Sequence, residues 1–74
     1  MKVKVKLFAT LRKERFDENE FEFNISINIE LLLNMLKIKK DEVAIVFING
    51  KHADLSTPLK ESDEVAFFPP IGGG

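Results

Sequence analysis

No cysteine occurs in this 74-residue chain, which excludes a disulfide, a thiolate nucleophile and a thiolate metal site. Its single histidine, His52, cannot build a zinc site without several carboxylate partners. Charge of one sign is not in excess either. Lys and Arg number 11 against 12 Asp and Glu, so the basic stripe of a nucleic-acid binder is missing and no nucleic-acid partner is expected. An apolar run long enough for a signal peptide or a membrane span is also lacking. Met1-Lys2-Val3-Lys4-Val5-Lys6 alternates charged with apolar residues, and the expectation is a cytoplasmic protein with no membrane partner. Repeats and low-complexity stretches are absent.

What is present is a core's worth of apolar residues: seven Phe and many Ile, Leu and Val. The length sets one domain of marginal stability. Lys2 to Phe8 has period two, with Val3, Val5 and Leu7 on one face and Lys2, Lys4, Lys6 and Phe8 on the other, the pattern of a strand with one buried face. Ala9 to Asn19 reads as a turn or short helix followed by a loop. Glu20 to Ile27 alternates again, predicting a second strand antiparallel to the first, with Phe21, Phe23, Ile25 and Ile27 inward.

The period then changes. Ile29, Leu32, Leu33 and Leu36 fall at i, i+3, i+4 and i+7, the stripe of a helix lying on a core. Asn28 is placed to cap it and Glu30 sits in its first turn. Leu31 and Met35 read as the edge of its apolar face, and Lys37, Lys39 and Lys40 as cations at or beyond its end. Val43 to Ile48 is a continuous run expected of a strand buried on both faces or nearly so, and Asn49-Gly50 signals a tight turn. Lys51 to Glu64 reads as turns with at most a short strand, Asp63-Glu64 as a turn before the last strand, and Val65 to Phe68 as that strand. The fold class is therefore α+β, a small mixed sheet of four to five strands with one helix packed across it.

The two basic groups, Lys2/Lys4/Lys6 and Lys37/Lys39/Lys40, read as solvated faces. The body is expected over residues 1–68 and an extended tail over 69–74. Pro69-Pro70 ends the last strand and stiffens the exit, and Gly72, Gly73 and Gly74 remove every side chain behind Ile71. Six extended residues reach roughly 20 Å, so such a tail can thread a narrow slot. Strand alternation places Phe8 and Phe68 on the face opposite the core. If their strands are neighbours they form an exposed aromatic patch beside the tail, the kind of surface a protein partner covers.

Asp63-Glu64-Val65-Ala66-Phe67-Phe68-Pro69-Pro70, followed by Ile71 and the glycines, resembles the C-terminal signature of the MoaD/ThiS family of ubiquitin-like sulfur carriers, closest to its molybdopterin synthase small-subunit branch. Val5-Lys6-Leu7-Phe8-Ala9-Thr10-Leu11-Arg12 is similar to the family's first strand and turn. The resemblance covers the whole chain and implies the β-grasp, or ubiquitin-like, fold.

It further implies a function. An ATP-dependent adenylating enzyme of the MoeB/ThiF type, using ATP and Mg, activates the carboxyl group of Gly74. A sulfur donor protein then displaces AMP and leaves a thiocarboxylate, with Gly72 and Gly73 allowing the approach. The sulfur serves molybdopterin (molybdenum or tungsten cofactor) synthesis inside a MoaE-like large subunit. This chain would bind no cofactor or metal itself, be no enzyme on its own, and be a monomer when free. The docking set is Phe8, Arg12, His52, Phe68, Pro69, Pro70 and Ile71; His52 reads as an exposed turn residue where the family would place an apolar one. Alternatives are a ubiquitin-like modifier joined to lysines, a carrier for thiamine or cysteine synthesis, or an interaction module with an inert tail.

Overall fold

The computed structural model describes residues 1–70; Ile71, Gly72, Gly73 and Gly74, the end of the expected tail, lie outside the described residues. Five strands and one helix follow in the order β1 (Lys2–Leu7), β2 (Glu18–Glu22), α1 (Ile29–Met35), β3 (Ile45–Ile48), β4 (Lys51–His52) and β5 (Asp63–Phe68). Short 3-10 turns stand at Ala9–Arg12 and Lys40–Glu42. The sheet order is β2-β1-β5-β3-β4. β1 and β5 are parallel at its centre and every other pair is antiparallel, which makes a mixed sheet of the β-grasp type.

The predicted alternation of β1 holds. Val3, Val5 and Leu7 are fully buried and meet Val65 and Phe67 of β5 and Ile29, Leu32 and Leu33 of α1, with Leu11, Ile27, Ile38, Val46 and Leu59 closing the core. Asn28 caps the helix as expected, its Oδ1 accepting from the Leu31 backbone N–H at 2.9 Å. The helix stops at a Schellman turn. Ile38 N–H returns to Leu33 O at 2.9 Å and Lys37 N–H to Asn34 O at 3.1 Å, with Lys37 in the left-handed region at φ 60°.

Several expectations are corrected. The second strand is Glu18–Glu22 rather than Glu20–Ile27, because its ladder against β1 runs out at Met1, whose backbone carbonyl accepts from Phe23 N–H at 2.8 Å. Beyond that point no strand is left to pair with, and Ile25 is exposed instead of inward. Leu31 and Met35 are exposed too, because a helix of this length covers the sheet with only one narrow stripe. The third strand begins at Ile45, not Val43, since the Lys40–Glu42 turn claims the Val43 N–H. It is not buried on both faces: Val46 is buried while Ile45, Phe47 and Ile48 are half-buried, for the sheet has one covered side. Asp63 and Glu64 belong to β5 rather than to a turn before it. The lysines after the helix do not serve its C-terminus; Lys40 reaches back to Glu30 at 2.9 Å.

Asn49-Gly50 forms the foreseen tight turn, with φ 52° at Asn49 and φ 82° at Gly50, the pair of positive φ values that a type I′ hairpin needs. It sets the register Ile48↔Lys51 and Phe47↔His52.

Candidate functional site

The uncovered face of the sheet is built by the residues that alternate with the core. Register places Leu7 opposite Phe67, so the next residue on each strand, Phe8 and Phe68, meet on the other face. Their rings stack at 4.4 Å between centroids with 9° between planes. Phe47, brought to the same face by the register Phe47↔Ala66, meets Phe68 edge-on at 5.7 Å and 90°. His52, opposite Phe47, leans on its ring at 4.6 Å. The result is a continuous row Phe8, Phe68, Phe47, His52 across four strands, with Ile45 beside it.

The expected patch of Phe8 and Phe68 is thus assembled, and both rings are half-buried because they cover one another. Offset and edge-on aromatic pairs are the favourable arrangements, worth about 0.5–1.5 kcal/mol each beyond burial. His52 is corrected from a turn residue to a strand residue of β4, where it is exposed at the end of the row. Phe47 is absent from the sequence-predicted site, hidden in a run expected to be buried on both faces or nearly so. The signal was there: a two-residue Asn-Gly loop fixes Phe47 and His52 as a cross-strand pair on one face.

Arg12 stands at the opposite end of the row. Its Nε donates to Leu7 O at 2.7 Å and lies 3.6 Å from Asp17 Oδ1, and its guanidinium sits 5.4 Å from the Phe8 ring centre. Its first bonds are internal, and they brace the turn that carries Phe8. β5 ends at Phe68, between β1 and β3. Pro69 is half-buried and Pro70 exposed. Ile71 and the three glycines of the expected site lie outside the described residues.

Below the aromatic row the face is charged and self-compensated. Lys6 Nζ and Glu64 Oε2 are 2.6 Å apart and Lys4 pairs with Glu18 at 3.7 Å. The Lys6–Glu64 hydrogen bond raises the Lys6 pKa and lowers that of Glu64. Both residues are half-buried at the open face, so this is a surface pair of small energetic weight. Among the described residues no group of three or more His, Asp or Glu is arranged to hold a metal ion, and no helix is long and apolar enough to cross a membrane. The chemistry this face offers is apolar and aromatic contact.

Comparison with known proteins agrees with this geometry. Subunit 1 in the complex of subunits 1 and 2 of the molybdopterin-converting factor from Helicobacter pylori is 26% identical, with all of both chains covered and a TM-score of 0.68. A molybdopterin converting factor subunit 1 from Pyrococcus furiosus is 29% identical over 96% of this chain and 99% of its own, with a TM-score of 0.76. The fold is shared as well with the small archaeal modifier protein SAMP1 of Haloferax volcanii, 21% identical over all of both chains with a TM-score of 0.75. No curated protein matches the chain. The ThiS family model matches residues 5–74, and the chain belongs to that family of small ubiquitin-like sulfur carriers.

Proposed function

We propose that this protein is the sulfur-donating small subunit of a molybdopterin synthase, with the carboxyl group of Gly74 as its reactive end. The observation that carries the reading is the Phe8–Phe68 stack at the point where β5 gives way to Pro69-Pro70. The apolar stack lies at the end of β5 from which the chain runs on to its C-terminus, so one partner can grip the first and receive the second. The likeness to subunit 1 of the Helicobacter pylori complex, 26% identical along the whole chain, supports a large-subunit partner of the same kind.

A carboxylate is a poor electrophile because its charge is delocalised and it has no good leaving group. The activating enzyme's ATP supplies the remedy. The Gly74 carboxylate oxygen attacks the α-phosphorus and pyrophosphate leaves; hydrosulfide released by the sulfur donor then attacks the acyl carbon, the carbon–oxygen bond to AMP breaks, AMP departs with those electrons, and a thiocarboxylate remains. Phe8, Phe47 and Phe68 hold the partner, with Arg12 and His52 at the ends of the row. Pro69 and Pro70 direct the tail, and the glycines let it pass a narrow channel. Acid–base chemistry belongs to the partners. Asp63 and Glu64 are no dyad, since Asp63 is spent on Asn49 and the Lys60 backbone and Glu64 on Lys6.

The test is intact-mass measurement after incubation with ATP, Mg, an adenylating enzyme of the MoeB/ThiF type and a sulfur donor. One oxygen-to-sulfur exchange at Gly74 is expected, together with loss of cofactor synthesis when Gly73-Gly74 is deleted. Persisting synthesis in the deletion strain would end the carrier reading. Gly-Gly remnants on lysines of other proteins, without the exchange, would put a protein modifier in its place.

A further inference from the structure

Of the five asparagines in this chain only Asn49 precedes a glycine. That order matters chemically. The side-chain carbonyl carbon of an asparagine is one ring closure away from the nitrogen of the next residue, and a glycine there has no Cβ to hinder the approach. Nothing stands within 4 Å of the point where a Cβ would sit on Gly50. The Gly50 N–H donates to no acceptor among the described residues, whereas the Asn49 N–H donates to Glu64 O at 2.8 Å. Both turn residues are exposed, so water reaches them.

The Asn49 amide, however, is engaged at both ends by β5. Its Nδ2 donates to Asp63 Oδ1 at 2.8 Å and its Oδ1 accepts from the Glu64 N–H at 2.9 Å. Asp63 is itself fixed: the residue is buried and its second oxygen accepts from the Lys60 N–H at 2.7 Å. Counting the Asn49 N–H, three bonds fasten the turn to β5, and the side chain continues the β3–β5 ladder past Ile48↔Val65. For Cγ to turn onto the Gly50 nitrogen, the amide must first release β5.

We propose that Asn49 is a self-modification site, kept closed by Asp63 and the Glu64 N–H and opened when the turn lifts from β5. In the open state the Gly50 nitrogen gives up its proton to water and forms a bond to Asn49 Cγ. The Cγ–Nδ2 bond breaks, Nδ2 takes up a proton and leaves as ammonia, and a five-membered succinimide remains. Water then adds to either ring carbonyl and the carbon–nitrogen bond on that side breaks, which yields aspartate or isoaspartate.

Neither product suits the site. Aspartate puts a carboxylate where Nδ2 stood, so a donor becomes a second acceptor facing the buried Asp63 carboxylate. Isoaspartate inserts a methylene into the main chain of a two-residue loop, and that loop sets the register Ile48↔Lys51 and Phe47↔His52. Phe47 and His52 meet at 4.6 Å in the outer row, so a change at the turn is transmitted to that surface.

The experiment incubates the full chain at neutral pH and follows the amide-to-acid exchange by intact mass, with peptide sequencing to place it at Asn49. Asp63→Ala should convert about tenfold faster than wild type, the scale of losing hydrogen bonds that close the amide. Asp63→Asn, which keeps one acceptor oxygen, should fall between them. Wild type in urea adjusted to the folded fraction of Asp63→Ala should stay slow, because its tether is intact. In the converted chain the NMR contacts between the Phe47 and His52 rings should be lost. Conversion of Asp63→Ala at the wild-type rate, equal speed in the urea-matched wild type, or a converted chain with those ring contacts intact overturns the proposal.

Discussion

The Asn49 side chain ties the tight turn to the start of β5, donating from Nδ2 to Asp63 Oδ1 at 2.8 Å and accepting from the Glu64 N–H at 2.9 Å. Asp63 completes the arrangement with the Lys60 N–H and is the one buried charged residue among those described. Removing its carboxylate leaves the Asn49 Nδ2 and the Lys60 N–H without that partner at a partly buried site. Asp63→Ala should therefore cost about 1–3 kcal/mol, read as a lower urea midpoint at unchanged slope, and Asp63→Asn less. An unchanged midpoint for the alanine variant would mean that water serves these donors equally well.

Lys37 is the weak choice at the end of α1. The Schellman turn puts it at φ 60°, where a side chain costs about 1–2 kcal/mol and glycine costs little. Glycine gives part of that back through the entropy of the unfolded chain. Lys37→Gly should stabilise by about 0.5–1 kcal/mol, seen as a rise of several degrees in Tm for a domain of this size. A fall in Tm would show that the lysine stem packs usefully enough to outweigh its backbone strain.

Three carboxyl groups titrate below their ordinary range, each through hydrogen bonds to its charged form. Glu42 is lowered first by the Lys39 N–H, Asp54 by the Ser56 hydroxyl and Glu64 by Lys6. A depressed folded-state pKa gives stability that is complete above the unfolded value and lost as pH falls through the folded one. Denaturation midpoints should thus be level near neutrality and decline below about pH 4.3, the ordinary glutamate value. Lys6 runs the other way, raised by Glu64, so its contribution persists until pH climbs past about 10.4, the ordinary lysine value. Asp54 is exposed and Glu42, Glu64 and Lys6 are half-buried at the surface, so each effect is small. Asp54→Asn should flatten part of the acid decline; an identical profile in that variant would remove Asp54 from the account.

Strand alternation, the helix stripe with its Asn28 cap, and the Asn49-Gly50 turn could be read from residue order because each is a local pattern with one physical cause. The limits of β2 could not. Where Glu18–Glu22 stops depends on β1 running out beside it, a relation between segments some twenty residues apart. Phe47 shows the same thing at the site. Its neighbours Ile45, Val46 and Ile48 are as apolar as a doubly covered strand, and only the order β1-β5-β3, with no layer outside it, turns Phe47 into surface. Phe8 and Phe68 were legible because each closes an alternating run.

Phe67 and Phe68 are chain neighbours on opposite faces of β5, and they should part company under mutation. Phe67 is fully buried among Val3, Val5, Leu7 and the helix stripe, so Phe67→Ala opens a cavity in the core and should cost about 3–5 kcal/mol, a large share of a small domain's stability. Phe68 is half-buried, and its ring stacks on Phe8 at 4.4 Å and meets Phe47 edge-on at 5.7 Å on the outer face. Losing those two aromatic pairs should cost about 1–3 kcal/mol, so Phe68→Ala stays folded at room temperature with a lower Tm. Its main effect should fall on association with the large subunit, because the truncated ring leaves the centre of the row empty where a partner must seat. Equal stability losses for the two variants would mean that the outer face is structural core under another name. A folded Phe68→Ala protein that binds the large subunit as tightly as wild type would show that the row is not where the partner sits.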